Sequence, residues 1–174
     1  MDETAHIDTL RVRAPKKAAQ QVRLRLSTKL GGADLHPPGL APSQVLLVRE
    51  ITDPDPGGLN VDNTGAVLER TWERAARDVL DGALRRAIRP TSGRVPSGAE
   101  AVLFRDAAEA WACWGRAQIA RGPSATSPWW MQSLETSSDA TPASAHRSPS
   151  VAAVWRARPR LVPAMAAHLV AWEA

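Results

Sequence analysis

The clearest pattern in the chain lies between Val67 and Ile88, where the pairs Val67-Leu68, Thr71-Trp72, Ala75-Ala76, Val79-Leu80, Ala83-Leu84 and Ala87-Ile88 recur every four residues. That recurrence places the pairs on one stripe of a helix, so the segment predicts an amphipathic helix of about 25 residues. Arg70, Glu73, Arg74, Arg77, Asp78, Arg85 and Arg86 fall on its open face. Asp62, Asn63 or Thr64 supplies a cap at its start, and Pro90 follows its end.

Upstream the rhythm changes. Leu10 and Val12 alternate with Arg11 and Arg13, the period of a half-buried strand over residues 6–13. Ala18, Ala19, Val22, Leu26 and Leu30, between Pro15 and Gly31-Gly32, predict a helix of about four turns. Gln44 to Thr52 is continuous and β-branched, which reads as a more buried strand. Strand, helix and strand with a helix-length crossover suggest a right-handed parallel pair. Antiparallel pairing stays open, because two strands alone are too few for a stable sheet.

Downstream, Ser97-Gly98-Ala99-Glu100 has the form of a capping box. It predicts a helix with Val102, Leu103, Ala107, Trp111, Trp114 and Ile119 inward, ending near Arg121-Gly122 and forming an antiparallel hairpin with the long helix before it. Residues 135–150 are small, polar and Pro-containing, the composition of a linker. Val151 to Arg156 and Pro163 to Glu173 read as short helices separated at Pro159. Nothing caps the second, so 151–174 reads either as a natural end or as a truncated piece of a longer product.

The expected fold is α+β and helix-rich: a small strand-helix-strand unit, then a long amphipathic helix and a helical hairpin, then short C-terminal helices. The expected organisation is a domain over 1–134, a linker over 135–150 and a helical segment over 151–174.

Composition adds limits. Apolar residues make up 44% of the chain, enough for a core, yet the longest apolar runs, at Val45 to Val48 and Val151 to Val154, are far too short to cross a bilayer. The first residues carry no basic leader and no apolar stretch, so a cytoplasmic location is expected. The single cysteine, Cys113, excludes an internal disulfide framework and a Cys-rich zinc site, and it reads as a small core residue. The net charge of +4 is carried mostly by arginine and is spread over both ends. Arg11, Arg13, Lys16, Lys17, Arg23 and Arg25 form a candidate basic face, read as an ordinary solvated surface or as a phosphate-facing stripe.

Candidate chemistry is thin. His6, His36, His146 and His168 stand far apart, with no ligand or triad spacing. Asp53, Asp55, Asn60 and Asp62 look superficially like a calcium loop, but Thr64 stands where the bidentate Glu belongs and two prolines interrupt the run. Neither Gly31-Gly32 nor Gly57-Gly58 matches a phosphate-binding motif. No catalytic, cofactor-binding or metal-ligating residue is nominated, and no cofactor is expected.

The aromatic set is seven Trp, one Phe and no Tyr, a bias toward rings that are apolar with one wet edge. Trp129 and Trp130 are adjacent, so on a helix their rings point about 100° apart and are hard to bury in one small core. Either both tuck against the hairpin, or Trp129, Trp130, Met131 and the near-terminal Trp172 form a partner interface.

Ala117-Gln118-Ile119-Ala120-Arg121-Gly122 followed by Trp129-Trp130-Met131-Gln132-Ser133-Leu134, after the segment PPGLAPSQVLLVRE, resembles uncharacterised proteins encoded near bacterial phage-tail-like contractile injection systems. The resemblance spans residues 7–134 and carries no catalytic motif. It implies a structural or assembly role in a large particle. The expected function is therefore non-catalytic protein–protein interaction, as a scaffold or assembly component of a bacterial macromolecular complex. The alternative is a nucleic-acid or membrane-surface adaptor acting through the basic face, with an enzyme of unknown type third.

Overall fold

The computed structural model describes residues 7, 9–11, 19–56, 70–121, 127–136 and 150–172. The chain divides into two compact units, Met1–Leu40 with Glu50–Arg85, and Ala41–Arg49 with Arg86–Ala174. The fold is α+β and helix-rich, with six α-helices and one two-stranded sheet among the described residues.

The first unit is built on α1 (Ala19–Gly31) and α2 (Arg70–Arg86). Trp72 and Ala76 are buried, with Leu30, Ala33 and Leu35 packed on them. The Trp72 indole Nε1 donates to Asp53 Oδ1 at 2.9 Å, so one carboxylate satisfies the polar edge of this ring. The same Oδ1 accepts from the Asp55 N–H at 3.2 Å, and Asp53 is thereby a turn residue. Arg77 reaches Asp34 at 3.5 Å, and Gly39 sits close under Leu84, where a Cβ would lie 3.3 Å from the leucine side chain.

The four-residue rhythm marks α2 correctly but runs past its end. Trp72, Ala76 and Ala83 are buried as the stripe requires, whereas Val79 is 40% exposed. The helix stops at Arg86 because Ile88 is taken into sheet pairing. Val67-Leu68 lies outside the described residues.

In the second unit β1 (Val45–Val48) and β2 (Ala101–Phe104) pair antiparallel, Val45 opposite Phe104 and Val48 opposite Ala101. Of the strand expected over residues 6–13, the described residues Ile7, Thr9, Leu10 and Arg11 are in no strand, and the rest lie outside the described residues. β2 takes the segment read above as the start of a helix. Its far edge is occupied by Ile88, which donates to Ala101 O at 3.1 Å and accepts from Leu103 N at 3.0 Å. With both edges paired, a run of four apolar residues is more stable as a fully buried strand than as one turn of helix.

The helix begins two residues later. Asp106 Oδ1 accepts from Glu109 N at 2.7 Å, and the buried Glu109 carboxylate reaches back to the Arg105 N–H, one residue before the cap, so the pair closes the start of the helix much as a capping box does. This starts α3 (Ala107–Arg121). Residues 108–115 are buried on every side, so α3 is the central rod of the unit.

Around it pack α4 (Trp129–Thr136), α5 (Val151–Arg156) and α6 (Val162–Ala171). They contribute Trp130, Met131, Leu134, Val154 and Met165 to one core with Val102, Phe104, Trp111 and Trp114. The C-terminal helices are thus part of this core, and the boundary between compact units falls near residue 86 and at the 41–49 strand segment rather than at 134. Of the expected linker, residues 137–149 lie outside the described residues.

Candidate partner-binding site

The Trp-rich segment is placed first. Trp130 is 4% and Met131 0% exposed; the Trp130 ring centroid lies 5.8 Å from that of Phe104 at an interplanar angle of 51°. Burial takes both out of the surface, and Trp129 is half-buried against the same core. The two indoles, set about 100° apart by the helix, both find cover because α4 meets β1 and β2 on one flank and the remaining core on another.

Trp172 is half-buried too. The Arg116 guanidinium stands 4.5 Å over its ring and His168 stacks on it at 6.0 Å. His168 Nε2 lies 3.3 Å from the Asp106 carboxylate, so that histidine ties α6 to the start of α3. His36 Nε2 sits 2.8 Å from Leu40 O. His6 and His146 lie outside the described residues, as do Arg13, Lys16 and Lys17 of the basic face; Arg11 and Arg23 are exposed and Arg25 is half-buried.

Cys113 is buried, and its thiol is pushed up to about 12 by burial first and the Glu109 carboxylate second, with Arg116 opposing. At neutral pH it is a thiol rather than a nucleophilic thiolate. Among the described residues no group of three His, Cys, Asp or Glu comes together as a metal site, and no helix is long and apolar enough to cross a membrane.

What the sequence reading did not nominate is a hollow on the second unit. Ser150 caps α5, its Oγ accepting from Ala153 N at 3.2 Å. Pro159 ends the helical run, and the turn closes with Arg158 N on Trp155 O and Leu161 N on Arg158 O, each at 3.0 Å. The turn sets the start of α6 beside α5, and between them Ala152, Trp155, Arg156, Pro159 and Val162 line an open, mostly apolar hollow of about 530 Å³. Trp155 is held from behind by α3: its Nε1 and Cζ2 lie 3.6 and 3.9 Å from where a Cβ on Gly115 would stand. Its ring is therefore a fixed wall.

The arginines of this region divide by role. Arg158 is turned inward, 3.8 Å over the Trp111 ring, with Nη1 donating to Val154 O at 3.3 Å; burial lowers its pKa from the ordinary value. Arg156 and Arg160 are exposed and pair with no described carboxylate. The sequence signal that marks the region is the absence of any acidic residue over 140–172, a stretch with four arginines.

No family model matches the chain, and no curated protein or solved structure does either.

Proposed function

We propose that the chain is a non-catalytic protein-binding component, a scaffold or assembly part of a larger complex, and that the hollow between α5 and α6 is where it holds its partner. The supporting observation is the combination of an open apolar hollow, a tryptophan wall fixed by α3 and unpaired arginine at the edge. Interface hot spots draw on this chemistry: Trp and Arg are enriched there, and well-packed apolar contacts surrounded by charge supply most of the binding energy. Membership of a bacterial macromolecular assembly, which the resemblance of residues 7–134 implies, is work of the same kind.

The test is site-specific photocrosslinking. A photoreactive side chain replaces Ala152, exposed at the hollow, or Arg74, exposed on the open face of α2, in cells that make the protein. A discrete protein adduct at 152 and none at 74 is expected. Adducts only to nucleic acid or lipid, or no adduct from folded protein, would reject the reading.

A further inference from the structure

The second unit has its own carboxylates, and each of the described ones is occupied. Glu100 pairs with Arg86 at 3.5 Å, Asp106 holds His168 and the α3 N-terminus, and Glu109 takes the Arg105 N–H. Glu135 accepts from Trp114 Nε1 at 3.0 Å and from Gln118 Nε2 at 3.3 Å. None is left for Arg156, which lines the hollow, or for Arg160, the exposed residue that follows the lining Pro159 in the chain. The surface therefore presents an apolar floor bordered by positive charge that nothing in the described unit balances.

We infer that the hollow takes an acidic amphipathic segment of a partner protein, an apolar side chain seated against Trp155, Pro159 and Val162 and flanking carboxylates paired with Arg156 and Arg160. This rests on the reading that the hollow is a protein-binding face, and it adds the chemistry of what enters. The apolar lining decides for a peptide over a nucleic acid. A single-strand track needs a row of cations along the backbone as well as a ring to stack on, and one of the three arginines here is committed inward over Trp111. A peptide needs only one anchor and a charge beside it, and complementary charge at the rim sets which partner is accepted.

The probe is a synthetic helical peptide of about five turns, with Leu and Phe on one stripe and Glu elsewhere, fluorescently labelled and titrated against the full chain by anisotropy. A lysine version of the same pattern, a thymidine oligonucleotide and vesicles with anionic headgroups run beside it. The expected result is saturable binding of the glutamate peptide and none of the lysine peptide. The double variant Arg156→Glu with Arg160→Glu should lose affinity at least about tenfold, and Ala152→Glu, a change at an exposed helix position that leaves the core intact, should lose a similar factor. No binding by the glutamate peptide, equal binding of both peptides, unchanged affinity in folded Ala152→Glu, or the oligonucleotide or vesicles binding in the peptide's place each overturns the inference. A protein adduct at position 152 alongside any of these leaves the protein-binding reading standing and removes only the acidic partner; absence of that adduct removes both.

Discussion

Gly115 lies in the interior of α3, where a glycine costs about 1 kcal/mol of helix stability relative to alanine. A small residue is understandable at this point because α5 approaches here, yet the space is larger than a hydrogen requires. A Cβ at 115 would meet Val151 Cγ1 at 3.5 Å and Trp155 Nε1 at 3.6 Å, which is ordinary van der Waals contact. Gly115→Ala should therefore stabilise the second unit. The propensity gain of about 1 kcal/mol is joined by burial of one methyl, up to about 0.8 kcal/mol, so the expected gain lies between about 1 and 2 kcal/mol. The assay is urea unfolding followed by far-ultraviolet circular dichroism, with a rise in Tm of roughly 4–8 °C per kcal/mol as a second reading. Gly115→Leu gives the opposite sign, because its further carbons have to displace Val151 and Trp155 at an overpacking cost of about 1–3 kcal/mol. The leucine variant should also lose partner binding, since Trp155 is the wall of the hollow. A destabilised alanine variant, or a leucine variant as stable as the wild type, would refute the packing of α5 on α3 described above.

Met165→Ala should cost about 2–5 kcal/mol, as expected for a fully buried methionine, and a loss below about 1 kcal/mol in urea unfolding would show that α6 is not part of the core. Glu135→Ala strands the Trp114 indole N–H in the interior and should cost about 1–3 kcal/mol, whereas Glu135→Gln retains an acceptor and should recover part of it; equal losses would place the effect elsewhere. Cys113 makes stability pH-dependent on the alkaline side. The unfolded chain gives up its thiol proton above its ordinary value of 9.0, while the folded chain keeps it to about 12, so stability is unaffected below 9 and falls by about 1.4 kcal/mol per pH unit above it. Comparing urea midpoints for wild type and Cys113→Ala near about pH 8 and about pH 10 reads this directly, and parallel slopes in the two proteins would reject it.

How much of this fold was legible depended on whether local pattern and tertiary pairing agreed. At α2 they agreed over the central turns, where Trp72, Ala76 and Ala83 follow the stripe, and α5 and α6 appear within a few residues of the expected bounds. At residues 97–109 they did not. The chain carries two capping-box patterns, Ser97 to Glu100 and Asp106 to Glu109, and the first precedes an apolar run that suits either a helix or a buried strand. What decides is the partner on each side of β2, namely β1 through Leu46 and Leu47 on one edge and Ile88 on the other. No residue within 101–104 carries that information, so the choice of the wrong cap was built into a local reading.

The candidate site was hidden for a different reason. Adjacent indoles at 129 and 130 draw attention because they are large, but the size that makes an aromatic valuable at an interface makes it equally valuable inside, and only the number of surrounding elements separates the two outcomes. Around Trp130 that number is high, with Phe104 and α3 both within reach, so the ring is a core residue. Around Trp155 it is low among the described residues: α3 covers one side through Gly115, and the other opens on the hollow, where Pro159 turns the chain between α5 and α6. The more telling sequence feature was the missing charge. A stretch with four arginines and no acid leaves its cations to be balanced from elsewhere, and among the described residues of the unit the carboxylates Glu100, Asp106, Glu109 and Glu135 are each engaged by other partners, which only their contacts could reveal.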